Sequence, residues 1–310
     1  MYQYVEAQDN HNIQETLLWH PDNKLCIAEK TTKLVASGIN LKGYHHIFKS
    51  QCFLNIFEET IVDFFDINKI SAEESEIAID NYFKHMFDNP THQSNQFKSG
   101  LIEYFGCFAN SNNLPYTTAN TASSHNKAYQ KCVQDLIEKL QPLSGVINKY
   151  LETNYLALYF KMKCLNLGPN ILKPFSSFPT IAINFNVICQ FHRNVKDHWI
   201  NLCVVCLLGR FEGGELVFPE LKLVLYAKQG QAIAFYSNLL VHRNLPITTG
   251  IRHSVVFYIY STVIKQKWKF GSLFADFKLD WGSNNNKAKS SQIYTSSKLG
   301  SQKPKPKNHQ

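Results

Sequence analysis

From Thr180 to Tyr260 the chain is a succession of short apolar runs, each closed by a turn former. CVVCLLG, GGELVFP, LKLVLYA and QAIAFYS are separated by Gly, Pro or charged residues, a pattern of strands and turns with no room for long helices. The stretch opens with TIAINFNVICQFHRNVKDHW and closes with LLVHRNLPITTGIRHSVVFYIY. His192 and His242 bracket it, and Arg252 and Ser254 follow the second histidine.

The outer strands carry a division between faces. In a strand expected over Thr180–Gln190, Ile181, Ile183, Phe185, Val187 and Cys189 share one side, while Asn184, Asn186, Gln190 and then His192 share the other. The closing strand places Arg252, Ser254 and Val256 on one face and Val255, Phe257 and Ile259 on the other. A polar face turned into a β-barrel is what a ligand site needs; a structural barrel fills it with apolar side chains. An arginine fork with a serine hydroxyl two residues on can hold a carboxylate by charge-assisted hydrogen bonds. The two histidines can hold a metal.

Ahead of this stretch the patterning reads as helical. Phe53, Ile56, Phe57, Ile61, Phe64 and Phe65 recur at three-to-four spacing, which predicts an amphipathic helix. Ser71 with Glu74 reads as a capping box opening a second helix, with Ile79, Tyr82, Phe83 and Met86 inward and Asp88-Asn89-Pro90 as its stop. Asn110–Asn126 reads as a surface loop. Val133, Leu136, Ile137 and Leu140 form the buried stripe of a long helix that Pro142 breaks, and Ile147, Tyr150 and Leu151 resume it. Leu34-Val-Ala-Ser reads as a short strand. Helices first and strands second predict an α+β fold in which helices buttress a β-core. The expected division is an N-terminal segment 1–43, one domain over 44–280 (helical support 44–168, β-core 169–275) and a tail over 281–310.

Composition adds bounds. The N-terminus, MYQYVEAQDN, lacks the basic start and apolar run of a secretory signal, and no uncharged apolar stretch is long enough to span a bilayer, so an intracellular, soluble protein is expected. Most of the cysteines sit inside apolar runs. Cys203 and Cys206 form a CxxC, but on a strand residues three apart point to opposite faces, so they read as buried packing residues. Net charge is +8. Lysines 287, 289, 298, 303, 305 and 307 lie beyond Trp281 with no acid among them, the composition of a solvated tail; a nuclear-import or nucleic-acid contact is the sharper reading.

His192-Arg193-Asn194, the distal His242 and Arg252-His253-Ser254 together resemble the signature of the iron(II)/2-oxoglutarate-dependent dioxygenases, His-x-Asp, a distal His, then Arg-x-Ser. FEGGELVFPEL and Gly230-Gln-Ala-Ile-Ala-Phe also resemble mid-barrel segments of that superfamily. Within it the run is similar to the TET-like oxygenase domains expanded in fungi, relatives of the TET and base-J-binding families that oxidise methylated pyrimidine bases. The resemblance spans roughly Phe175 to Val263 and implies a double-stranded β-helix, or jelly roll. It implies Fe(II) held by His192, Asn194 and His242, with 2-oxoglutarate as co-substrate resting its distal carboxylate on Arg252 and Ser254. It further implies consumption of O2, with succinate and carbon dioxide released as a substrate C–H bond is oxidised. A methylated nucleic-acid base is the substrate class the resemblance suggests.

Asn194 departs from the signature, because the family has a carboxylate ligand there. Three readings follow: Asn194 binds iron through its amide oxygen, Asp197 supplies the carboxylate instead, or the domain is a pseudo-oxygenase that serves as a binding module. A cupin-type hydrolase or isomerase would account for the histidines but not for Arg252 with Ser254. His198 and His253 read as packing or surface residues rather than ligands.

Overall fold

The computed structural model describes residues 2–4, 40–55, 58–109, 115–122, 127–167, 171, 173–199 and 201–264. The chain divides into a unit Met1–Gln266 and a second, Lys267–Gln310. The second unit lies outside the described residues, as do the lysine-rich tail, the strand expected at Leu34-Val-Ala-Ser, and Ile56 and Phe57.

The first unit is α+β with a jelly-roll core, as the sequence predicts. Its strands are β1 (Tyr2–Tyr4), β2 (His45–Ile47), β3 (Gln51–Leu54), β4 (Thr60–Asp66), β5 (Ile102–Phe108), β6 (Tyr116–Thr117), β7 (Thr180–Phe185), β8 (Cys203–Leu208), β9 (Phe211–Gly213), β10 (Leu216–Phe218), β11 (Leu223–Leu225), β12 (Gln231–Phe235), β13 (Arg243–Asn244), β14 (Ile247–Gly250) and β15 (His253–Tyr258). A nine-stranded sheet runs in the order β1-β3-β4-β12-β8-β15-β7-β5-β6, facing a four-stranded sheet, β13-β10-β11-β2, with β14 and β9 paired beside them. Phe53, Val62, Phe64, Leu207, Ile233 and Phe235 of the large sheet pack against Leu216, Phe218, Leu223 and Leu225 of the small one.

Helices α1 (Lys69–Asp88), α2 (Asn95–Gly100), α3 (Ala119–Ala122), α4 (Lys127–Lys139), α5 (Gln141–Asn154) and α6 (Leu156–Lys163) precede β7, and α7 (Ser261–Ile264) follows β15. Helix α1 docks on the outer face of the large sheet: Phe83 stacks on Phe185 with centroids 4.3 Å apart, and Tyr82 meets Phe105 edge-on at 5.6 Å. Buried Asp63 of β4 accepts hydrogen bonds from Tyr150 and Tyr155 at 2.7 and 2.5 Å, which tethers α5 to the sheet.

Five expectations are corrected. The amphipathic helix expected over Phe53–Phe65 is the β3–β4 hairpin, whose turn is closed by Asn55 Oδ1 accepting from Glu59 N at 2.9 Å, with Glu58 at φ 61°. Strand β4 is buried on both faces, so its apolar residues lose the two-residue alternation and imitate a helical stripe. Helix α1 is capped by Asn68, whose side chain accepts from Ser71 N, and not by a Ser71–Glu74 box. The half expected to be helical support, 44–168, also contributes β2 to β6. The strand expected over Thr180–Gln190 ends at Phe185, and Asn186 turns the chain at φ 52°. Within the expected loop Asn110–Asn126 the structure places β6 and α3, the remaining positions falling largely outside the described residues.

Candidate functional site

A cavity of about 420 Å³ opens on the inner face of the large sheet, and His192, Asn194, Asp197, His242, Arg252 and Ser254 all line it. Strand β15 supplies one wall. Its parity is as predicted: Ser254, Val256 and Tyr258 face the cavity with Arg252 just before them, while Val255 and Phe257 are buried on the opposite side. Strand β7 follows the same rule, Ala182 and Asn184 lining the cavity while Ile181 and Ile183 are buried behind it.

His192 reaches the site by a different route from the one the strand parity implies. It lies seven residues past the end of β7, where its backbone forms an isolated antiparallel bridge with His242. His192 N donates to His242 O at 3.1 Å and His242 N to His192 O at 3.0 Å. Asn244 pins the intervening loop, its Oδ1 accepting from Cys189 N at 2.7 Å and its Nδ2 donating to Val187 O at 3.3 Å. The rings stand 4.3 Å apart by centroid.

Each imidazole is held in one tautomer. Nδ1 of His192 lies 2.7 Å from Gln190 O, and Nδ1 of His242 lies 2.9 Å from Leu240 O. A carbonyl can only accept, so each Nδ1 carries a proton, and in the neutral ring Nε2 is the nitrogen with the lone pair. That is the usual outer-shell arrangement of metal-binding histidines. Burial, aided by the adjacent His192 ring, pushes His242 down to about 3, so its imidazole is neutral at physiological pH.

Asn194 and Asp197 form a linked pair on the same loop. Asp197 N donates to Asn194 O at 2.8 Å, Asn194 N to Ser237 O at 2.9 Å, and Ser237 Oγ to Asp197 Oδ2 at 2.6 Å. Burial pushes the Asp197 carboxyl up to about 6, the Ser237 hydrogen bond opposing the rise. Among the described residues no three His, Cys, Asp or Glu side chains come together as a metal-binding group. The protein donors that fit a divalent cation are therefore two imidazoles with free Nε2 atoms and the neutral Asn194 amide, a set that holds a metal less firmly than one with a carboxylate.

The anion end is built around Arg252. Arg252 is 5% exposed, its Nε has no hydrogen-bond partner, and among the described residues it makes no ion pair. Burial pushes the guanidinium down to about 10, still charged near neutral pH. Gly214, at φ +71°, makes room for it: a Cβ there would lie 3.1 Å from Arg252 Cδ. The Arg252 backbone is fixed by Asn186, which donates from N to Arg252 O at 2.8 Å and accepts from Arg252 N at Oδ1 at 3.3 Å. Ser254 Oγ accepts from Asn184 Nδ2 at 3.0 Å. A buried cation beside an oriented hydroxyl, both facing a cavity, suits a carboxylate ligand.

His198 and His253 are both buried. His253 turns away from the cavity to Asp80 of α1, with Nε2 and Oδ1 2.8 Å apart. Cys203 and Cys206 are buried free thiols, Cys203 at the cavity wall. Sequence reasoning gave no role to Asn244, Ser237 or Gly214. A signal for Asn244 was present, since His192-Arg193-Asn194 and His242-Arg243-Asn244 are the same triplet, and the histidines of the two copies bridge one another.

No family model and no curated protein sequence matches this chain. Solved structures do. NgTET1, in complex with 5mC DNA, aligns over 94% of this chain and 100% of that one at 14% identity and a TM-score of 0.52. The viral collagen prolyl hydroxylase from Paramecium bursaria Chlorella virus-1, in a 2OG complex, aligns over 66% of this chain and 98% of its own at 14% identity and a TM-score of 0.34. JOX2, in complex with 2OG, Fe and JA, aligns over 85% of this chain and 77% of its own at 12% identity and a TM-score of 0.36. At 14% identity the full-length alignment with NgTET1 is a likeness of fold, and the fold of this chain is that α+β jelly roll.

Proposed function

We propose that the protein is a TET-like, Fe(II)- and 2-oxoglutarate-dependent dioxygenase that oxidises a C–H bond of its substrate. The observation that carries this reading is the pairing, in one cavity, of two oriented imidazoles with a buried arginine that makes no ion pair among the described residues. His192, His242 and the Asn194 amide would hold Fe(II), and Arg252 with Ser254 would hold the distal carboxylate of 2-oxoglutarate. When bound, iron and 2-oxoglutarate supply the oxidising power through O2. The chain's own residues bind and orient. Gln190 O and Leu240 O keep the proton of each imidazole on Nδ1, Asn186 and Gly214 seat Arg252, and Asn184 sets the Ser254 hydroxyl. Ala182, Val256 and the tyrosines Tyr104, Tyr258 and Tyr260 form an aromatic and apolar wall that limits water in the cavity.

For the substrate we infer a methylated nucleic-acid base. The basic net charge, the presence of Lys196 and Arg243 at the cavity and the fold shared with a protein solved on 5mC DNA support this reading. Among the described residues no helix is long and apolar enough to cross a membrane.

Purified protein is assayed for succinate formed from 2-oxoglutarate in the presence of Fe(II), with and without substitution of Asn194. Turnover supports the enzyme; its absence from every form removes that reading. Binding to methylated duplex DNA that does not exceed binding to unmethylated duplex at the same salt removes the base-oxidation version. One observation favours a second reading, a pseudo-oxygenase acting as a binding module: no third His, Cys, Asp or Glu joins the two histidines among the described residues. Co-substrate binding without turnover would be its signature.

A further inference from the structure

Arg252 lies one residue outside β15, so its seat depends on the rung that ends the ladder. That rung is His253, paired with Phe185 of β7 on one side and Leu208 of β8 on the other. Arg252 and Ser254, its chain neighbours, line the cavity, while the His253 ring is 1% exposed on the opposite face, against helix α1. Asp80, Phe83 and Phe87 follow one another on α1 at helical spacing and meet this rung together. His253 Nε2 donates to Asp80 Oδ1 at 2.8 Å, since a carboxylate can only accept. Phe83 stacks on Phe185 at 4.3 Å and Phe87 meets it edge-on at 6.1 Å. The rings of Phe185 and His253 stand 4.7 Å apart.

Packing alone does not account for a histidine here. A phenylalanine or leucine would fill the space without a polar atom, whereas His253 leaves Nδ1 buried with no hydrogen-bond partner. A buried ring nitrogen without a partner opposes folding. What the imidazole gains over an apolar ring is the bond to Asp80, whose side chain is 52% exposed on the helix. The connection runs from the outer surface of α1 to the strand end that presents Arg252 and Ser254 to the cavity.

We propose that Asp80 is a positioning residue for the co-substrate site: through His253 it clamps helix α1 to the last rung of β15 and so fixes where Arg252 and Ser254 stand. The inference rests on the reading that these two residues hold the distal carboxylate of 2-oxoglutarate. Beyond the rung, the Arg252 backbone is held by the left-handed Asn186 and not by the ladder, so a shift of the rung is carried straight to it. Coupling of this kind is reciprocal. If docking of α1 seats the arginine, 2-oxoglutarate bound to the arginine must in turn hold α1 down.

The test is calorimetric titration of 2-oxoglutarate into the Mn(II)-loaded full chain, with hydrogen exchange of the α1 amides as a second readout; neither requires turnover. Asp80→Ala and His253→Phe are expected to weaken binding about three- to tenfold, the worth of one hydrogen bond. Asp80→Asn keeps an acceptor for Nε2 and is expected to bind within about twofold of wild type. Tyr155→Phe removes a hydrogen bond to Asp63 on β4, three strands from β15, and is expected to leave binding unchanged. In wild type 2-oxoglutarate is expected to slow exchange along α1, and to slow it less in Asp80→Ala. Wild-type affinity in both Asp80→Ala and His253→Phe, or no slowing along α1 in wild type, overturns the inference and leaves the co-substrate reading standing. Equal weakening in Asp80→Asn or in Tyr155→Phe also overturns it, by taking the effect away from this hydrogen bond. No 2-oxoglutarate binding by wild type overturns the co-substrate reading and the inference with it. Thermal unfolding checks each variant; if His253→Phe does not fold, Asp80→Ala, at a half-exposed helix position, decides.

Discussion

Asn184 Nδ2 donates to Ser254 Oγ at 3.0 Å, across a register pair that β7 and β15 make directly. A hydroxyl that accepts from an amide keeps its own proton for another acceptor, and the cavity beside Arg252 is where that acceptor would sit. Asn184→Ala is expected to weaken 2-oxoglutarate binding about five- to tenfold, the worth of one hydrogen bond. Asn184→Asp is expected to weaken it further, because a carboxylate there would take the serine proton. Calorimetric titration distinguishes the two, and equal affinity in all three proteins would remove Asn184 from the site.

The burial of Arg252, with no ion pair among the described residues, predicts a conflict between stability and binding. Replacing a buried uncompensated charge by an apolar side chain of similar length relieves its desolvation cost. Arg252→Met is expected to raise unfolding stability by about 1–3 kcal/mol while abolishing 2-oxoglutarate binding. Urea denaturation and ligand titration on the same sample check both halves.

Gly214 is expected to act through Arg252. At φ +71° any side chain is strained, and its Cβ would meet Arg252 Cδ at 3.1 Å. Gly214→Ala should cost about 1–2 kcal/mol in stability and also weaken co-substrate binding, whereas Gly145→Ala, where a Cβ meets nothing within 4 Å, should leave binding unchanged.

Glu103 makes stability depend on pH away from the site. It is fully buried, accepting from Ser94 Oγ at 3.0 Å and Asn120 Nδ2 at 2.6 Å, and burial raises it from 4.5 to about 7. A carboxyl raised on folding keeps its proton in the native chain after the unfolded chain has lost it. Its contribution is therefore most favourable at low pH and declines as pH rises from 4.5 to about 7. The cost above that window is at most about 3 kcal/mol. Glu103→Gln is expected to match wild type near pH ~4 and to be the more stable protein near pH ~8, as compared by chemical unfolding at both pH values.

Reading the sequence went furthest where one face of a strand is buried and the other is not. On β7 and β15 alternation separates Ile181, Ile183, Val255 and Phe257 from Asn184, Arg252 and Ser254, and backbone geometry leaves few other arrangements. It failed at β3 and β4, where burial on both faces removes the alternation and aromatic spacing mimics a helix. It failed again past Phe185, because the chain leaves the strand through a left-handed Asn186, which a strand-by-strand count does not foresee.

The sequence by itself determined the α+β class, the run of short strands from Thr180 to Tyr260, and the face that Arg252 and Ser254 share, because these follow from local periodicity. Only the tertiary structure decided how His192 meets His242, through a bridge between segments fifty residues apart. It alone decided that Arg252 is buried with no counter-charge among the described residues. It alone bound the Asp197 carboxylate to Ser237, forty residues away in the chain. Each of these depends on which distant backbone closes against which, and hydrogen-bond partners set by long-range closure leave no periodic mark in a sequence.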